Sequence, residues 1–124
     1  MKIRESAENY LETILILSKK GDAVRSIDVA VHMGFSKPSV SVAMKALRED
    51  GYISVGAGGE LSLLPPGKEI AEKIYERHCL IAGMLRTLGV DEETALEDSC
   101  KIEHVISDKS FECMKKHFEQ YMKK

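Results

Sequence analysis

The 124-residue sequence predicts a mainly α-helical fold with one β-hairpin near its middle. Three observations carry that expectation. Apolar residues recur three and four apart over most of the chain, which is the helical period. The period drops to two only between Tyr52 and Leu64, on either side of Gly56-Ala57-Gly58-Gly59. Most glycines and prolines fall at the ends of periodic segments, where they punctuate rather than interrupt.

The first helix is expected over residues 5–19, with Tyr10, Leu11, Ile14, Leu15 and Leu17 on its apolar side and Lys19-Lys20-Gly21 ending it. Asn9 and Glu12 lie three apart on the other flank. A short helix over 26–33 follows, with Ser26 as its expected N-cap and Gly34 as its stop. Ser36 caps the next helix, and Pro38 sits in the first turn, where a missing N–H costs nothing. That helix runs to Asp50 before Gly51, with Val40, Met44 and Leu47 on the buried side. Two short helices around Gly34-Phe35 form a helix-turn-helix pattern. The hairpin that follows makes it a winged helix-turn-helix, assigned to residues 1–64.

Pro65-Pro66-Gly67 reads as a junction to a second domain over residues 65–124. A long helix over 67–88 carries an apolar stripe of Ile70, Ile74, Ile81, Met84, Leu85 and Leu88. Asp91 caps the next helix, with Glu92 and Glu93 placed to suit its dipole. A last helix begins near Asp108 and carries Phe111, Met114, Phe118 and Tyr121 at helical spacing. These stripes exceed what three helices can bury among themselves, so this half is expected to form a symmetric dimer.

A net charge of −2 excludes a globally basic polyanion binder, so any nucleic-acid contact must come from a local patch. The segment from Ser36 to Arg48 is such a patch, with Lys37, Lys45 and Arg48 and no acidic residue. A recognition helix reads base edges with its N-terminal residues. The candidates there are Ser36, Lys37, Pro38, Ser39, Ser41 and Lys45, with Arg25 as a further phosphate contact. A protein-binding winged helix is the competing reading. No apolar run is long enough to span a bilayer, and Lys2, Arg4, Glu5 and Glu8 break up any signal peptide. Three cysteines without scaffold spacing point to a reducing cytoplasm.

Cys100-Lys101-Ile102-Glu103-His104 is the stretch that carries chemistry. On a helix, Cys100, Glu103 and His104 share one face and offer a thiol, a carboxylate and an imidazole to a metal. The bland alternative is a small buried thiol beside a solvated Glu-His pair. A nucleophilic enzyme is disfavoured, because no phosphate loop or acid–base pair accompanies the thiol and no small-molecule substrate is implied. Glu103 and His104 are expected to lie outside the core.

The order of these elements resembles the diphtheria-toxin-repressor family of metal-dependent transcriptional repressors, which includes the manganese transport regulators. The resemblance covers nearly the whole chain. It rests on Asn9-Tyr10-Leu11-Glu12, Ser36-Lys37-Pro38-Ser39-Val40, Arg77-His78 and Cys100-Lys101-Ile102-Glu103-His104. It implies a homodimer that binds a palindromic double-stranded operator when loaded with Fe(II) or Mn(II). It also implies a ligand set of Asn9, Glu12, His78, Cys100, Glu103 and His104. Asn9 stands where the family carries Asp or Met, and Cys100 is similar to the iron-type members where manganese-type members carry Glu. Ala82 replaces the Glu of an ancillary site. The chain is similar to short forms without the SH3-like domain. A winged-helix regulator with a non-metal effector is the alternative.

Overall fold

Helix α1 (Glu5–Ser18) forms where the periodicity places it, and Tyr10, Leu11 and Ile14 are buried along one side. The computed structural model describes residues 5–122. They fold into two compact units, divided between Lys73 and Ile74.

In the first unit, α2 (Ser26–Met33) and α3 (Lys37–Glu49) are joined through Gly34, whose φ of 71° is the left-handed stop that the sequence predicts. The N-cap of α2 is Arg25, not Ser26. The Asp28 carboxylate at N3 reaches back and accepts from the Arg25 backbone N–H at 2.9 Å, the N3 half of a capping box. Ser36 caps α3 as expected, accepting from the Ser39 N–H at 3.3 Å. Strands β1 (Ile53–Val55) and β2 (Leu61–Leu63) pair antiparallel in the register Ile53–Leu63, Ser54–Ser62 and Val55–Leu61. Val24 adds a bridge to Leu61, a non-local pairing invisible to local periodicity. Val24, Val29, Val40, Met44, Leu47, Ile53 and Leu61 close one core with the buried side of α1.

The Pro65-Pro66-Gly67 stretch is the first turn of α4 (Pro65–Thr87) rather than a junction before it. The first turn of a helix has no use for its N–H groups, so prolines fit there. Gly67 is buried, and a Cβ on it would run into the Tyr52 carbonyl, which accepts from the Leu64 N–H at 3.0 Å. α4 continues past Lys73 into the second unit.

The second unit is built from the rest of α4, α5 (Glu92–Val105) and α6 (Asp108–Met122). Asp91 caps α5, accepting from the Thr94 N–H at 3.0 Å. That bond lowers the Asp91 pKa below the ordinary aspartate range. Ile74, Ile81, Ala82, Ala95 and Phe111 are buried. Leu88, placed on the apolar stripe by its spacing, is instead 77% exposed, with Leu96, Val105 and Tyr121 also exposed.

Candidate metal centre

α4 and α5 bring the second unit's four candidate ligands into one neighbourhood. On α5, the i, i+3, i+4 spacing turns Cys100, Glu103 and His104 to one face. Their ligand atoms lie within 4.8 Å of one another. Tetrahedral donors bound at about 2.0–2.3 Å lie about 3.3–3.8 Å apart, so side-chain adjustments of about an ångström bring these three to ligand spacing. His78 on α4 meets the same carboxylate, its Nδ1 lying 2.9 Å from Glu103 Oε2. Adjacent ligands of an octahedral ion with bonds of about 2.1 Å lie about 3 Å apart. This contact therefore already holds the two groups at ligand spacing.

Burial corrects one expectation. Glu103 is fully buried, and the His104 side chain is only 1% exposed. Helical spacing alone does not reveal that the ligand face of α5 is also its core face. Cys100 is exposed. A buried carboxylate is costly unless its oxygens find partners. Glu103 Oε2 has His78, whereas Oε1 accepts no hydrogen bond among the described residues. His104 Nε2 lies 3.5 Å from Oε1. A buried carboxylate oxygen without a donor, beside an imidazole and a thiol, fits a divalent cation. Such an ion would supply the positive charge that two anionic ligands lack, held by Cys100, Glu103 and His104 with His78 beside them.

Two further residues belong to this neighbourhood. Ser99 is fully buried, donates to the Leu96 carbonyl at 3.0 Å and lies 3.2 Å from His78 Nδ1. Arg77, 5% exposed, donates through one nitrogen to the carbonyls of Glu103 at 3.0 Å and Ile106 at 2.8 Å. Its other terminal nitrogen pairs with Asp108, and the guanidinium stacks over the Phe111 ring, 5.3 Å from its centroid. Sequence reasoning gave Arg77 no role. The available signal was its spacing from Ile74 and Ile81, which puts an arginine on the apolar stripe.

The first unit holds the remaining candidates. Asn9 is half-buried on α1, and its backbone carbonyl accepts from the Thr13 hydroxyl at 2.9 Å. Glu12, one turn on, is 6% exposed, an unusual degree of burial for a carboxylate. On α3, Lys37 is exposed in the first turn, and Pro38, Ser41 and Lys45 are exposed on the side away from Val40, Met44 and Leu47. Val42 on the same side is 71% exposed. The Ser36 and Ser39 hydroxyls face each other at 2.8 Å. Arg25 is exposed, and its Nε donates to the Gly58 carbonyl at the wing tip at 3.1 Å.

Known proteins arrange these parts in the same order. Residues 2–57 match the family model described as the iron dependent repressor N-terminal DNA binding domain, and residues 65–123 match the metal binding and dimerisation domain. The transcriptional regulator MntR of Salmonella typhimurium is 31% identical over 109 residues, covering 88% of this chain and 69% of that protein. An uncharacterized helix-turn-helix-type transcriptional regulator of Methanocaldococcus jannaschii is 32% identical over 122 residues, covering 97% of this chain and 98% of its own. A manganese-dependent transcriptional repressor solved with manganese superposes with a TM-score of 0.83 at 24% identity, covering 90% of this chain. The IdeR of T. acidophilum gives 0.75 at 21% identity over 95% of this chain. The chain spans about half the length of these solved proteins, 52% and 55% respectively. With the mainly helical fold, the DNA-binding unit and the ligand-bearing helical unit in place, the chain belongs to the iron-dependent, diphtheria-toxin-type repressor family that includes the MntR regulators.

Proposed function

We propose that this chain is a metal-activated transcriptional repressor of the cytoplasm, a homodimer that binds a palindromic operator when a divalent ion is loaded. The observation that carries the reading is the buried Glu103 carboxylate, with Cys100 and His104 on its own helix and His78 at 2.9 Å from Oε2. Asn9 and Glu12 complete the ligand set in this reading. The burial of Glu12 and the family resemblance support that assignment. Residues 1–64 act as the DNA-binding half and residues 65–124 as the dimerising half. Ser36, Lys37, Pro38, Ser39, Ser41, Lys45 and Arg25 face the operator. In this reading metal loading sets the spacing of two recognition helices against half-sites about 34 Å apart, or a multiple of that. Metal raises DNA affinity only as far as it prefers the DNA-competent state, and DNA raises metal affinity by the same factor.

Fe(II) is the favoured effector and Mn(II) the next. The Cys100 thiolate is a softer donor than the carboxylates that Mn(II) prefers. The test is selection of bound duplexes from a random 40-base-pair pool, anaerobically, with Fe(II), Mn(II), Zn(II) or chelator. A palindromic consensus enriched only with metal is the expected result. Equal enrichment of one sequence with chelator would show that DNA binding needs no metal and overturn this reading.

A further inference from the structure

We propose that Arg77 is a positioning residue for the metal centre, a clamp that sets the separation of His78 and Glu103 before an ion arrives. This rests on the metal-centre reading and names a part of that centre outside its ligand set. The argument begins at the end of α5. A helix leaves its last carbonyls without backbone donors. α5 stops at Val105, and Ile106 turns extended with ψ 139°, so Glu103's carbonyl has lost its donor four residues on. Arg77 supplies one at 3.0 Å and caps the Ile106 carbonyl at 2.8 Å with the same nitrogen. Its charge also suits the negative end of the helix dipole. The pairing with Asp108 carries the clamp into the first turn of α6.

Two ties therefore join the same stretch of α4 to Glu103. One is the His78–Glu103 side-chain contact at 2.9 Å, which ligation of a cation would replace. The other is Arg77 to the backbone of Glu103 itself. Arginine does not deprotonate in proteins, so the second tie persists when the first is exchanged. Holding both helices at ligand spacing removes an ordering cost from metal binding, and such supporting groups typically change metal affinity 10–100-fold.

The experiment titrates Co(II) into the full chain, anaerobically, reading its visible and thiolate charge-transfer bands, with melting temperatures taken in chelator. Variants are Arg77→Met, Arg77→Lys, Asp108→Asn and Ile81→Val, the last a core control on the same helix that makes none of the clamp's hydrogen bonds. Arg77→Met should weaken Co(II) at least tenfold and alter the band intensities. Arg77→Lys should recover part of the affinity, and Asp108→Asn should lose a few-fold. Ile81→Val should lower the melting temperature while keeping parental affinity and spectrum. Parental affinity in Arg77→Met, or an equal loss in Ile81→Val, overturns the clamp and leaves the metal centre standing. A parent chain that binds no Co(II) overturns both. If Arg77→Met does not fold, Arg77→Lys and Asp108→Asn decide: unchanged affinity in both overturns the clamp.

Discussion

Cys100 and Glu103 share a helix face but do different work, because one is exposed and the other buried. Cys100→Glu replaces a soft donor by a hard one on the accessible side of the site. The activation midpoints for Fe(II) and Mn(II) in DNA binding should approach each other or invert. A parent protein that already responds to Mn(II) at lower free concentration than to Fe(II) would refute the softness argument. Glu103→Gln keeps the shape and an acceptor for His78 while removing the charge. It should abolish metal-stimulated DNA binding with the melting temperature in chelator nearly unchanged. A variant that responds to metal at the parent's midpoint would put the site elsewhere. His104→Ala is a poorer probe than its helical spacing suggests, because its buried side chain leaves a cavity behind.

Helix ends decide the behaviour of the elements. At the start of α4, Gly67 faces two opposing effects. Alanine is the better helix former by about 1 kcal/mol, but its Cβ would meet the Tyr52 carbonyl, a backbone group held by the Leu64 N–H. Overpacking against a fixed neighbour costs about 1–3 kcal/mol, so the clash should win. Gly67→Ala should shift the urea midpoint down; a midpoint at or above the parent's would refute the contact. At the start of α5, the Thr94 N–H holds the Asp91 pKa below its unfolded value. Stability from that cap is present above the ordinary aspartate pKa and is lost as pH falls through the lower folded one. The melting-temperature gap between parent and Asp91→Ala, measured in chelator, should be constant near neutrality and shrink in the acid range. Asp91→Asn should keep much of the cap without that acid dependence, since Asn caps helices equally well. A gap that does not change with pH would contradict the bond as drawn.

At the scale of the whole molecule, the second unit leaves Leu88, Leu96, Val105 and Tyr121 in solvent. An all-helical unit of this size with large apolar side chains outside its core is expected to associate. Sedimentation of the full chain at micromolar concentration should give a dimer both with Mn(II) and with chelator. A monomer in both conditions would mean that the exposed stripe is not an interface between copies.

The sequence by itself determined the helices, the hairpin and the candidate face of α5, because each is set by local period, by a cap or by a glycine at positive φ. Asp91, Ser36 and Gly34 are legible in that way, each acting within three or four residues. The tertiary structure decided what depends on neighbours distant in the chain. Val24 joins the hairpin, and Pro65-Pro66-Gly67 enters α4 because Tyr52 leaves room only for glycine. Burial of Glu103 and His104, the 2.9 Å approach of His78 and the clamp of Arg77 all join positions more than 20 residues apart. A residue's own spacing says which way it points along a helix; only the packed helices say whether that side faces water, the core or another ligand.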